Sequence, residues 1–205
     1  MSAPLVLVTG FGPFPGVSEN PSVAVARALE AEPPRGAHVV ARELPVTFAT
    51  APAAVERALA ELPRAPAALL GLGVQPDATF RLERRARGRL RGDRADAAGA
   101  TATDAGVDAG ADLECALDLE ALAASLRAAG AGAVTLSDDA GGYVCERTYH
   151  ALLSAGAARG VPAVFLHVPP VEALAASAQV PLVRALLEAL LVQTSSSSGG
   201  RASAD

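Results

Sequence analysis

Apolar positions along this chain follow two alternating rhythms. Short β-rich runs occur at residues 5–9, 38–44, 67–72, 78–82, 133–136 and 163–167, bounded by Gly, Pro or charge. Runs of that length predict buried strands. Between them, apolar residues recur at helical spacing and predict helices over 21–30, 49–62, 117–129, 143–155 and 182–192. Asn20-Pro21 supplies a start signal, a capping side chain followed by proline at the first helical position. Strand alternating with helix predicts a single three-layer α/β/α domain with a mostly parallel sheet, spanning 1–193. Residues 194–205 are Ser/Gly-rich and read as a disordered tail.

One stretch has no rhythm. Residues 84–112 are rich in Arg, Asp, Ala and Gly and read as a long loop or a loosely ordered hairpin. Seven of the 17 arginines lie between Arg81 and Arg94. Three readings of that run stay open: a solvated face, an attractor for acidic residues beyond a scissile bond, and a weak anion or RNA site, against which the low aromatic content argues.

Composition narrows the classes. With 205 residues, 51% hydrophobic and 19% charged, the chain can bury one sizeable core. A net charge of −5 offers no global attraction to nucleic acid. No run is long enough to cross a membrane and residues 1–10 do not form a signal peptide, so the expected location is the cytoplasm, with no membrane partner. Cys115 and Cys145 are expected as reduced thiols. Neither they nor His38, His150 and His167 show metal-ligand spacing, and no cofactor is implied. His38 and His150 read as surface residues, Cys115 as structural. The Gly10-Phe-Gly12 stretch lacks the spacing of a dinucleotide loop.

Ligands of doubly wound sheets gather at the carboxyl ends of the strands. There, a strand at 133–136 runs through a glycine turn into a helix that carries Cys145 in its first turn. The next strand delivers His167 at its end. Read as one βαβ unit, this puts a thiol and an imidazole on one edge of the sheet. A helix N-terminus favours thiolate, its N–H groups suit an oxyanion, and an imidazole can pair with the thiolate and protonate a leaving amine. The competing reading makes Cys145 a small buried hydrophobe and His167 a surface residue.

Asp139-Ala-Gly-Gly-Tyr-Val-Cys145 and Phe165-Leu-His167-Val-Pro-Pro170 resemble the cysteine and histidine signatures of pyroglutamyl peptidase I. Val8-Thr-Gly-Phe-Gly-Pro-Phe14 with Asn20-Pro21 resembles the N-terminal signature of that family, and Leu82-Glu83-Arg84 the segment carrying its acid. Asp139, Tyr149 and Pro169-Pro170 look closer to its animal-type branch. The resemblance implies a cysteine exopeptidase that hydrolyses the amide bond after an N-terminal pyroglutamyl residue. Cys145 would be nucleophile, His167 base and Glu83 the orienting acid. Phe11 and Phe14 would enclose the lactam ring, with Asn20, Tyr143 and Val144 also binding substrate. Without the resemblance, Glu83 reads as a surface acid among arginines, Phe11 and Phe14 as core, and Asn20 as a helix cap. Two departures stand out. Leu72 occupies a position where many bacterial relatives carry Gln, and the arginine run replaces a stretch that helps cover the pocket. Alternatives are a diverged binder without turnover, or a cysteine hydrolase of altered specificity. Oligomeric state is left open.

Overall fold

A computed structural model of the chain describes residues 3–103 and 110–199, with side chains as far as Ser195. Its centre is a six-stranded sheet in the order β2-β1-β3-β8-β4-β7. The strands are β1 (Leu5–Phe11), β2 (His38–Leu44), β3 (Ala68–Val74), β4 (Phe80–Glu83), β7 (Val134–Ser137) and β8 (Ala163–Val168). Every pairing is parallel except β4 with β8. The expected α/β class and mostly parallel sheet are therefore found. β1 and β8 are buried along their whole lengths, as strands covered on both faces must be.

Two cores follow from alternation along the strands. Val6, Val8, Leu70, Leu72, Val164 and Leu166 pack with α1 (Pro21–Ala31), α3 (Leu119–Ala128) and α5 (Ala176–Gly199). Leu5, Leu7, Leu69 and Phe165 pack on the other face with α2 (Ala51–Ala60) and α4 (Val144–Arg159). Leu72 is fully buried on the first of these faces. Helix ends follow their local signals. Asn20 caps α1 by accepting from Ser22 N, Asp118 caps α3 by accepting from Ala121 N, and Gly160 closes α4 in the left-handed conformation.

Three expectations change. α5 begins at Ala176 rather than 182 and continues to Gly199, so residues 194–199 are helical and not tail; 200–205 lie outside the described residues. The long segment after β4 contains a two-stranded antiparallel hairpin, β5 (Arg85–Ala86) with β6 (Leu113–Glu114); within it 104–109 lie outside the described residues. Finally, β7 and β8 do not form a simple βαβ unit. β4 stands between them, parallel to β7 and antiparallel to β8, so β7 runs opposite to β8. The thiol and the imidazole meet for a different reason, given below. Among the described residues no helix is long and apolar enough to cross a membrane.

Candidate active site

The antiparallel step between β4 and β8 builds the polar centre. Arg81 sits opposite His167 in the register. Glu83, two residues along, shares the face of Arg81. His167 Nδ1 lies 2.7 Å from Glu83 Oε1, and Arg81 Nε donates to the same oxygen at 2.8 Å. Glu83 is completely buried and His167 nearly so. Glu83 is thus no surface acid. Its other oxygen, Oε2, is buried with no hydrogen-bond partner among the described residues. Tyr149 adds a hydrogen bond to the Glu83 main-chain carbonyl at 2.9 Å, which fixes the strand behind the carboxylate. Because Nδ1 is engaged, Nε2 is the ring nitrogen of His167 left for chemistry.

Cys145 arrives by way of a turn. After β7 the chain passes through Gly141 and Gly142, both with positive φ, and enters α4 at Val144 with Tyr143 as N-cap. The helix start then leans over the carboxyl end of β3. A Cβ placed on Gly73 would lie 3.0 Å from Cys145 Sγ. The glycine turn, rather than a parallel crossover, brings the thiol to the cavity that His167 also lines. Burial pushes the Cys145 thiol up to about 12, and the Glu83 carboxylate adds to the rise. Arg94 and Arg81 pull it down and Glu146 pushes it up. The sequence suggested a thiolate favoured by the helix N-terminus. Burial is the largest influence on this thiol and opposes that effect.

Cys145 and His167 line one cavity of about 570 Å³. Phe11, Phe14, Asn20, Tyr143 and Val144 line it too. Every substrate-side residue expected from sequence therefore meets the pair, while Glu83 stands behind His167. Phe11 and Val144 are buried, so both also belong to the core. Asn20 is tied down on both ends of its amide. Nδ2 donates to Gly12 O at 3.0 Å, and Oδ1 accepts from Ser22 N at 3.2 Å and Ser22 Oγ at 2.8 Å. Its capping role is realised, and one N–H of its amide remains for a ligand.

Among the cavity residues that sequence reasoning missed are Gln75, Arg81, Arg94 and Glu172. Gln75 donates to the carbonyl and hydroxyl of Thr79. Arg94 lies over the Tyr143 ring, 4.2 Å from its centroid. No local pattern marks them; Arg81 reaches the cavity through the pairing of β4 with β8 and Arg94 by lying over Tyr143. Cys115 and Cys145 are both free thiols. The Cys115 thiol donates to Ala163 O at 3.3 Å, a structural place. His38 is exposed, while His150 is half-buried against Ala111 O at 2.9 Å.

The Pyroglutamyl peptidase family model matches residues 5–190. The chain belongs to the pyroglutamyl peptidase family. It is 35% identical over 178 residues to Pyrrolidone-carboxylate peptidase 1 of Ralstonia nicotianae, covering 84% of this chain and 81% of that one. It is 32% identical over 179 residues to Pyrrolidone-carboxylate peptidase of Mycobacterium tuberculosis, covering 83% and 79%. The fold is that of the pyrrolidone carboxyl peptidase from Thermococcus litoralis, at TM-score 0.83 and 24% identity over 95% of this chain and 96% of that one. The pyroglutamyl peptidase I of Bacillus amyloliquefaciens superposes equally well, at TM-score 0.83 and 18% identity, covering 93% and 98%. Members of this family are cysteine hydrolases, and this chain keeps a cysteine, a histidine and a carboxylate in one centre.

Proposed function

We propose that this protein removes an N-terminal pyroglutamyl residue from peptides. The observation that carries the reading is the buried His167–Glu83 pair at 2.7 Å with Cys145 on the same cavity wall. Family membership supplies the substrate class. The lactam ring is uncharged, and a slot edged by Phe11, Phe14 and Val144 suits it.

The chemistry runs through His167 Nε2. As Cys145 Sγ attacks the carbonyl carbon of the pyroglutamyl residue, its proton passes to Nε2. The first-turn N–H groups of α4 face the developing oxyanion. Glu83 holds the ring and balances the imidazolium. When the C–N bond breaks, Nε2 gives that proton to the departing amine and leaves a thioester. Water then attacks the thioester, His167 takes its proton, and the proton returns to sulfur as pyroglutamate leaves. Both cysteines being free thiols supports a reducing compartment, and we place the protein in the cytoplasm.

The test is fluorophore release from a pyroglutamyl amide by the native protein and by Cys145→Ala. Turnover in the first and none in the second is the expected result. Binding of a ring analogue by folded native protein without turnover would instead identify a binder, and turnover of non-lactam amides a hydrolase of different specificity.

A further inference from the structure

The arginine run proves to be anchored, and what it grips is the turn before the nucleophile. Glu146 immediately follows Cys145 and is completely buried. Its Oε1 accepts the main-chain N–H of Arg87 at 2.7 Å. Its Oε2 accepts from Arg87 Nη2 at 3.0 Å, from Arg87 Nε at 3.3 Å and from Gly142 N at 3.0 Å. Arg91 N donates to the carbonyl of Gly142 at 2.8 Å. The amino acid that turns the chain into α4 is thus held at its N–H through Glu146 and Arg87, and at its C=O by Arg91. Asp139 completes the frame. It accepts from Gly141 N at 2.8 Å and pairs with both Arg87 and Arg91.

We propose that Arg87 and Glu146 are positioning residues, a brace that sets the Gly141-Gly142 turn and so aims Cys145 and the first N–H groups of α4. This rests on the function proposed above. The physical need is visible in the turn itself. Two successive glycines at φ 99 and 63 lie in a region that is cheap for glycine and therefore poorly self-determined. Tyr143, the N-cap, makes no side-chain capping bond. The local ties on this turn run through the Asp139 and Glu146 carboxylates, and Arg87 grips both, so its aim depends on the arginine segment. Acyl transfer is sensitive to such aim, since displacement of a reacting group by about 1 Å costs about 100-fold in rate. A buried carboxylate in the first helical turn also pushes the Cys145 thiol up. The Arg87 guanidinium balances that charge at close range.

The variants are Glu146→Gln and the double variant Arg87→Met with Glu146→Gln. A glutamine cannot accept at both of the positions that the carboxylate serves, so the grip on Gly142 or on Arg87 is lost. The double variant removes the buried charge on both sides and keeps the protein foldable if the single one fails. In a folded variant we expect kcat to fall about tenfold or more with KM within about threefold, the pattern of lost alignment rather than lost binding. Alkylation of Cys145 by iodoacetamide should be as fast as in the native protein or faster, because a negative charge beside the thiol is gone. Hydrogen exchange over 139–146 should quicken by about tenfold or more as the turn loosens. Unchanged exchange in this turn overturns the brace, whether or not the protein turns over pyroglutamyl substrates. A lowered Tm with native kcat also overturns it. A native protein without pyroglutamyl turnover overturns the function and leaves the exchange measurement to decide the brace.

Discussion

Two loops edge the cavity, and they are held in opposite ways. The first runs from Gly10, at the end of β1, to Asn20. Its ties are neutral and, apart from Gly12 N donating to Leu44 O at 3.4 Å, close in sequence. Phe11 N donates to Ser22 Oγ at 2.9 Å, Phe14 and Val17 exchange backbone bonds at 3.1 and 2.8 Å, and Asn20 clasps Gly12 O. The second is the segment from Arg84 to Asp96, after β4. Many of its partners are charged and lie 24–59 residues away. Arg84 and Arg85 pair with Asp138, Arg87 with Glu146 and Asp139, and Arg91 with Asp139. Asp96 accepts from Phe48 N at 2.8 Å. One loop carries its own instructions. The other takes its shape from the Gly141-Gly142 turn that it grips.

If the first loop is set by its fit against α1, crowding that fit should cost more than anything else in it. A Cβ on Gly10 would stand 2.5 Å from the main-chain carbonyl of Ser22 and 2.6 Å from Val23 Cα. Backbone cannot yield as a flexible side chain does. We expect Gly10→Ala to lower unfolding stability by about 3 kcal/mol, read from the urea midpoint. A loss under about 1 kcal/mol would mean that the strand-to-helix approach relaxes freely, and the contrast between the loops would weaken.

The same contrast governs what could be read from sequence. β1, β2 and the start of α1 were legible, because a buried run and an Asn-Pro cap are local statements. Cys145, His167, Phe11, Phe14, Asn20, Tyr143 and Val144 were placed on one cavity by motif and strand-end position. The reason offered for Cys145 meeting His167 was wrong, since β4 runs antiparallel between β7 and β8. Nothing in the sequence 80–83 signals a strand direction. Glu83 looked like a surface acid among arginines, although one of those arginines, Arg81, binds its carboxylate. The arginine run is exposed at Arg84, Arg89, Arg91 and Arg94, as a solvated face would be, yet it is also anchored by ion pairs. Its acids sit at 112, 114, 138, 139 and 146, and folding brings them near. At Cys145 burial opposes the thiolate that the helix position favours, and burial depends on packing, which a helix position does not report.

A smaller effect should separate the two duties of Asn20. Asn20→Ala removes both the cap on α1 and the tie to Gly12 O, and we expect it to cost about 1 kcal/mol of stability. Asn20→Asp keeps an accepting oxygen at the cap and favours the helix N-terminus, but it loses the Nδ2 donor to Gly12 O. Its stability should stay within about 0.5 kcal/mol of native. KM for a pyroglutamyl amide should rise, because the loop bearing Phe11 and Phe14 is released. Equal KM in Asn20→Asp and native protein would confine Asn20 to capping.

The smallest expected effect tests the charged loop without a mutation. Arg84, Arg91, Asp138 and Asp139 are each at least two-fifths exposed. Exposed pairs of this kind contribute about 0–1 kcal/mol each and weaken as salt rises. The Arg87–Glu146 pair has a fully buried carboxylate and is shielded from the solution. Raising sodium chloride to about 1 M, where the screening length is about 3 Å, should therefore speed hydrogen exchange in 84–96 by a few-fold and leave 10–20 unchanged. Exchange at Arg87 and Gly142 should change least within the charged half, since the buried carboxylate holds both amides. Equal acceleration of both loops would show that charge is not what distinguishes them. No acceleration in either would assign the second loop's hold to its backbone bonds, with Arg91 N to Gly142 O and Tyr143 Oη to Ala95 O carrying the segment on their own.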